Sequence, residues 1–243
     1  MSASATLNRA QTSHGSHALV VPTRRRRWLR VLVLLLVLAL VGGCGWLVGF
    51  SSVLAARRVD VTGVKILSAA EVRSVAQVPL GTPLARQDID SIAIRVAGLR
   101  PVSSVEVRRK WPTTISVTVR ERTPLLAVRQ PSGFQLVDAT GVSFLAVPAV
   151  PDGVVLTDVD PSNGALLTQV GIVAEAMPGK LQDKVDKIQA ASRDGIRLVL
   201  KDGDVVTWGS AQDSALKASV LTALLKQRAS SYDVSAPHSP AFR

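Results

Sequence analysis

One cysteine, three histidines and a single tyrosine in 243 residues leave few groups for chemistry. Cys44 alone can close no internal disulfide and offers no cysteine set for zinc. His14 and His17 fall in a Ser/Thr/Ala-rich leader and His238 in the tail, where chains are poorly ordered, so neither a metal site nor a cofactor is expected. Aromatics make up only 4%, so the core must rest on Val, Leu, Ile and Ala, which suits β-rich modules. The folded part also lacks a glycine-rich phosphate loop, a histidine beside a nucleophile, and paired carboxylates in an apolar setting. Ser214-Ala215-Leu216-Lys217 has a Ser-x-x-Lys spacing, but no Ser-Asp-Asn or Lys-Thr-Gly accompanies it, and Lys201-Asp202-Gly203 stands in a hairpin turn. No catalytic residue and no small-molecule substrate are expected, and the chain reads as a non-enzyme.

Acid is missing altogether from residues 1–54, which hold six arginines (Arg9, Arg24 to Arg27 and Arg30) and so +6 of the formal net charge of +11. The other +5 is spread over the remaining 189 residues. Such concentration beside an apolar run is a positive-inside signal rather than a nucleic-acid footprint, and no nucleic acid is expected as partner. Val31 to Phe50 is 20 residues without a charge, and at about 1.5 Å per residue it spans the roughly 30 Å hydrocarbon core. Trp28 and Trp46 stand near its two ends as interfacial anchors, and Arg57 and Arg58 close the far side. The expected order is a cytoplasmic tail over 1–30, a transmembrane helix over 31–54, and everything later outside the cytoplasmic membrane.

Two sharper readings of the span remain open. Val41 to Cys44, "VGGC", matches a lipobox whose cysteine is lipidated after cleavage, although the apolar run continues through Phe50 where a lipoprotein would turn polar. Gly45 and Gly49 have the small-xxx-small spacing that lets a second membrane helix approach, or are simply tolerated there.

Beyond the span, Val59 and Val61 alternate, Gly63 turns, and Ser68 with Glu71 forms a capping-box pattern ahead of a helix carrying Val72, Val75 and Ala76 inward. Pro79, Gly81 and Pro83 follow it. A second helix from about Asp88 to Ala97 places Ile89, Ile92 and Val96 at helical spacing and stops at Gly98 and Pro101. Val105 and Val107 then point one way and Glu106, Arg108 and Lys110 the other, and past Trp111-Pro112 the alternation resumes with Ile115, Val117 and Val119. Strand, helix, helix, strand, strand is a small α+β module.

After it, Gly133 to Leu145 reads as a hairpin turning at Asp138 and Gly141, and Ala165 to Ala176 as a helix ended by Pro178-Gly179. Gly195 to Gly209 reads as a hairpin turning at Asp202-Gly203. Ala211 to Arg228 reads as an amphipathic helix with Leu216, Val220, Leu224 and Leu225 inward, and Tyr232 to Ala236 as a last, edge strand.

"VTGVKILSAAEV", "PLGTPL", "RPVSSVEVRRKWPTTISVTVRERTPL", "QLVDATGVSF", "DGIRLVLKDGDVVTWG" and "YDVSAPHSPAFR" resemble the FtsQ/DivIB family of bacterial cell division. The resemblance covers nearly all of residues 55–243. It implies an α+β fold: an N-terminal transmembrane helix, a POTRA domain (β-α-α-β-β) over 55–124, and a mixed-sheet β domain with packed helices over 125–243. It implies a divisome scaffold at the septum that recruits and couples cell-wall synthesis proteins, with FtsB- and FtsL-like small coiled-coil proteins and other divisome members as partners. It nominates Trp208, Gly209, Tyr232, Asp233, Val234 and Ser235 as partner-binding residues. POTRA modules also occur in assembly and secretion factors that bind unfolded or extended chains, which is the alternative reading.

Sheet edges carry unpaired backbone groups, and charge beside them prevents random pairing. Arg108, Arg109, Lys110, Arg120, Glu121 and Arg122 therefore read either as a solvated protective face or as a docking face in which Arg108, Arg120 and Arg122 contact a partner. Trp111 reads either as a cover over the core or as a partner contact.

Overall fold

The computed structural model describes residues 24–243, with side-chain surroundings from residue 28 on. The expectations for Arg9, His14, His17 and the rest of residues 1–23 lie outside the described residues. The described residues fall into two compact units that divide after residue 51.

In the first unit, helix α1 runs Arg24–Phe50. It starts earlier and ends earlier than the expected 31–54, because the arginine block continues the helix and Ser52–Leu54 forms a separate 3-10 turn. Its stretch Trp28–Phe50 has 23 residues and a mean hydropathy of 2.8, long and apolar enough to cross a membrane. Cys44 is free and exposed on it.

The second unit holds two sheets. The smaller has three strands, β1 (Arg58–Thr62), β2 (Val102–Lys110) and β3 (Thr114–Glu121), in the order β1-β3-β2 with β1 parallel and β2 antiparallel to β3. Helices α2 (Ala69–Ala76) and α3 (Ile89–Ala97) cover one face. Both start on side-chain caps: Ser68 Oγ accepts from Glu71 N at 3.0 Å and Asp88 Oδ1 from Ser91 N at 3.0 Å. Those Ser91 bonds, hydroxyl first, hold the Asp88 carboxyl below its usual range. Val72, Ala76, Ile92 and Val96 meet Val107, Ile115, Val117 and Val119 in one core.

The larger sheet has nine strands. They are β4 (Leu126–Gln130), β5 (Gly133–Val137), β6 (Ser143–Val147), β7 (Val155–Thr157), β8 (Val185–Ala190), β9 (Ile196–Leu200), β10 (Val205–Gly209), β11 (Ser231–Asp233) and β12 (Ala241–Phe242). Their order is β12-β11-β10-β9-β8-β7-β4-β5-β6. Helices α4 (Gly164–Ala176), α5 (Gly179–Gln182) and α6 (Ser214–Leu224) complete the domain. Leu167, Val170 and Val173 of α4 and Ala218 and Leu221 of α6 share a core with Ile188, Leu198, Val206 and Trp208 of the sheet.

Helix α4 packs close to the β5–β6 turn because Gly171 has no side chain; a Cβ there would lie 2.7 Å from the Ala139 carbonyl oxygen. The β9–β10 hairpin turns at Asp202-Gly203 as expected, with Gly203 at φ +95. Helix α6 is shorter than the expected 211–228. Leu216 is 40% exposed, while Ser214 and Lys217 lie inward with Ala218 and Leu221. Lys217 buries its aliphatic stem and donates from Nζ to the Ser210 carbonyl at 2.9 Å, so a charged residue holds a place that the apolar pattern gave to leucine.

Candidate partner-binding site

The charged hairpin resolves into two groups. Glu121, at the end of β3, accepts from the backbone N–H groups of Lys65 (2.9 Å), Ile66 (2.8 Å) and Leu67 (2.8 Å), tying the loop before α2 to the sheet. Burial works against its ionisation, but the amides of Leu67, Ile66 and Lys65 outweigh it and hold the carboxyl below its usual range. Arg109 donates to the Leu84 and Gln87 carbonyls at 2.8 and 2.6 Å. Arg122, nominated as a contact, is turned inward: its guanidinium pairs with Asp138 at 2.5 Å, and its Nε donates to the Arg100 carbonyl at 3.2 Å. Asp138 also accepts from Thr140 N and Oγ1 and from Val142 N. Burial opposes its ionisation too, yet the Thr140 hydroxyl, the Val142 amide and Arg122 hold its carboxyl low.

Arg108 and Arg120 remain exposed on the open face of the small sheet, Arg108 paired with Glu106 in its own strand. Arg120 lies on β3, the central strand, so only Arg108 and Lys110 belong to an edge. Trp111 is 49% exposed at the β2–β3 tip and does not cover the core.

The six residues nominated in the larger sheet do come together, on β10, β11 and the two residues after β11, but Trp208, Tyr232 and Val234 face inward. Trp208 is fully buried and its Nε1 donates to Ser214 Oγ at 3.2 Å. Tyr232 is 4% exposed and its hydroxyl donates to the Gln227 carbonyl at 2.9 Å. Val234 is fully buried, and its N–H donates to the Thr207 carbonyl at 3.0 Å. Gly209, at φ +75, leaves room for Ser235, whose Cβ would sit 3.0 Å from a Cβ at 209. Asp233 and Ser235 are exposed, and Asp233 Oδ1 accepts from Ser235 N and Oγ at 2.9 and 2.6 Å.

The expected edge strand, Tyr232 to Ala236, is therefore corrected. Strand β11 lies between β10, to which it runs parallel, and β12, which pairs with it antiparallel through Tyr232↔Phe242 and Asp233↔Ala241. Among the described residues the outer strand at this end is β12. Ser231 and Arg243 exchange both backbone bonds, at 3.1 and 3.0 Å, so by the alternation of an antiparallel ladder the N–H and C=O of Phe242 point away from the sheet. Ala241 and Phe242 were missed from sequence because two residues carry no period. The one available signal was Phe242 itself, an apolar residue in a polar tail.

The Ser-x-x-Lys pair does not form a nucleophile and base. Ser214 Oγ donates to the Ala211 carbonyl at 2.8 Å while Lys217 Nζ donates to Ser210, and both residues are buried. Burial lowers the Lys217 pKa, partly opposed by Asp213 and Asp194. No group of three His, Cys, Asp or Glu residues fit to hold a metal occurs among the described residues.

Known proteins bear on this arrangement. The family described as "POTRA domain, FtsQ-type" matches residues 54–122, and "Cell division protein FtsQ/DivIB, C-terminal" matches residues 127–236. The cell division protein FtsQ of Streptomyces collinus is 40% identical over 235 residues, covering 90% of this chain and 89% of that one. That of Mycolicibacterium smegmatis is 36% identical over 227 residues, 92% of this chain and 68% of the other. Among solved structures, the major extracytoplasmic domain of DivIB from Geobacillus stearothermophilus matches with a TM-score of 0.34 and 15% identity, over 41% of this chain and 87% of that domain. A POTRA-bearing cell-division protein with one N-terminal apolar helix is the class so defined. The chain belongs to the FtsQ/DivIB family, which sets aside the assembly- or secretion-factor reading.

Proposed function

We propose that the chain is a non-enzymatic scaffold of the division machinery, with its N-terminus in the cytoplasm and its POTRA domain (55–124) and β domain (125–243) outside the membrane at the septum. It recruits and couples cell-wall synthesis proteins by accepting an extended segment of an FtsB-like coiled-coil partner, and through it an FtsL-like one, along the outer edge of β12. The observation that carries this is the outward-facing backbone of Phe242 on the last strand of the nine-stranded sheet. Strand addition draws affinity from such main-chain groups. Trp208, Gly209, Tyr232 and Val234 then form the bed that positions β11 and β12, Asp233 and Ser235 flank it, and Arg108 and Arg120 offer a second, electrostatic contact.

Co-purification of the full chain from membranes tests the reading. A defined complex with small coiled-coil membrane proteins is the expected result; capture of many unfolded clients, or turnover of a peptidoglycan substrate, refutes it. A reporter active only outside the cytoplasm should work when fused after Arg243, and its failure there refutes the orientation.

A further inference from the structure

The end of the small sheet where the chain arrives from α1 presents side chains that the proposed β12 site does not use. Ala56 N–H donates to the Thr82 carbonyl, the Ala56 carbonyl accepts from Gly81 N–H (both 2.9 Å), and Arg57 N–H donates to the Thr113 carbonyl at 2.7 Å. Those bonds gather three things at one end: the entering chain, the loop around Gly81, and the β2–β3 tip. Phe50, the last residue of α1, precedes Arg57 by seven residues. The tip is thus tethered within about 25 Å of contour from the end of that helix.

Trp111 and Leu80 are 49% and 60% exposed at this end. Arg57, Arg58 and Lys110 are exposed with them. Arg58 and Lys110 flank Thr114 from either side of the central strand. The nearest paired acid is Asp60, 3.9 Å from Lys110. Nor is the positive charge beyond the helix evenly spread. Residues 55–124 carry twelve basic and six acidic side chains, a net +6, whereas residues 125–243 carry eleven and twelve, a net −1.

An exposed tryptophan and leucine beside arginine and lysine are what seats a protein at a bilayer interface, the ring at headgroup level and the cations on phosphates. We propose that this tip docks on the anionic headgroup surface of the bilayer that α1 crosses. Trp111 and Leu80 enter the headgroup–acyl boundary, and Arg57, Arg58 and Lys110 meet lipid phosphates. The proposal rests on α1 being a membrane span.

The test uses the full chain in lipid nanodiscs of phosphatidylcholine, alone or with roughly a third phosphatidylglycerol. Trp28→Phe and Trp46→Phe leave Trp111 and the sealed Trp208 as emitters, and Trp208 reports folding in every variant. In anionic discs with brominated acyl chains, the Trp111 emission should shift to the blue and be quenched severalfold. Quenching should be lost in the R57E/R58E/K110E variant, and for the parent in about 1 M salt, where the Debye length falls to about 3 Å. Leu80→Ser should weaken it without touching the charges. Absent quenching in anionic discs, or equal quenching in neutral and anionic ones, overturns the proposal. So does a Trp111 that lipid cannot quench yet aqueous iodide cannot reach, which would assign the tip to a protein surface. A chain that fails to enter discs refutes the span instead, an outcome separable from failed docking.

Discussion

Replacing Phe242 by proline asks whether the outer edge of β12 is where a partner strand adds. Because Arg243 and Ser231 exchange the internal bonds on one side and Asp233↔Ala241 pairs on the other, the Phe242 N–H serves no bond to β11. Proline there removes an outward donor and nothing inward, and Ala241 before it is already extended, as a residue preceding proline must be. The partner loses one backbone hydrogen bond, worth about 1 kcal/mol net, and meets the ring where its carbonyl should approach. A loss of about 1–3 kcal/mol follows, roughly 5- to 150-fold in Kd. Folding should change by no more than about 0.5 kcal/mol, since Phe242 is 46% exposed and outside the core.

Val234→Pro would be a poor substitute test. It breaks the bond from Val234 to Thr207 and disturbs a fully buried side chain, so any loss of binding would follow from loss of the sheet. The assay is titration of the partner's extracytoplasmic segment onto the full chain, with urea unfolding measured in parallel. A folded Phe242→Pro protein that binds as tightly as the parent refutes strand addition at β12 and moves attention to the β2 edge with Arg108 and Lys110.

Three further outcomes can be checked. Glu121→Gln should lower stability by about 1 kcal/mol near neutral pH; because the folded pKa of Glu121 is depressed, its contribution is full above the unfolded value near 4.3 and is lost as pH falls through the folded one. A gap between parent and variant that is the same at pH 7 and in strong acid contradicts this. Ser214→Ala should cost about 1–3 kcal/mol in urea unfolding by leaving the buried Trp208 indole N–H without its acceptor, with partner affinity of the folded protein unchanged; unaltered stability refutes it. Gly171→Ala should cost about 1–3 kcal/mol in thermal or urea unfolding as α4 retreats from the Ala139 carbonyl, and a stabilised variant would show that the approach is not tight.

The small module was legible because each of its elements is long enough to show a period and carries a local stop or start. Ser68 and Asp88 cap α2 and α3, Gly98 closes α3, and β2 from Ser104 and β3 from Ile115 alternate. In the larger domain the hairpins at Asp138-Gly141 and Asp202-Gly203 were legible from turn chemistry, and α4 by its stop before Pro178-Gly179. What escaped was short, doubly buried or without alternation, as in β8, whose six residues follow no period of two in burial. Strands β7 and β12 have three and two residues, too few for any period, and the start of β4 is buried on both faces and so does not alternate. The phase of α6 slipped at Lys217 because a lysine counts as polar in any pattern, while its stem packs inward and its ammonium is held by one carbonyl.

The site was half legible for the same reason. Alternation of Tyr232 and Val234 marks β11 and the residue after it as extended chain, and both side chains do turn inward, but no local pattern reveals that the chain returns to cover it. Charge was visible as a cluster while its partners were not, since Glu121 and Arg122 act across more than a dozen residues on backbone amides and on Asp138. Arg122, Glu121 and Arg109 hold the POTRA fold and its junction to the β5–β6 turn of the larger sheet, leaving Arg108, Lys110 and Arg120 as the exposed cations of the β2–β3 hairpin. At β12 the situation reverses: the outward groups are main chain, and Phe242 is the single side chain on the strand large enough to be read. A partner there would be held by backbone geometry, which any extended segment can satisfy. Selectivity must then come from side chains flanking the added strand, with the exposed Arg243 beside Phe242, and Asp233 and Ser235 on the neighbouring segment, the polar groups of this chain at hand to supply it.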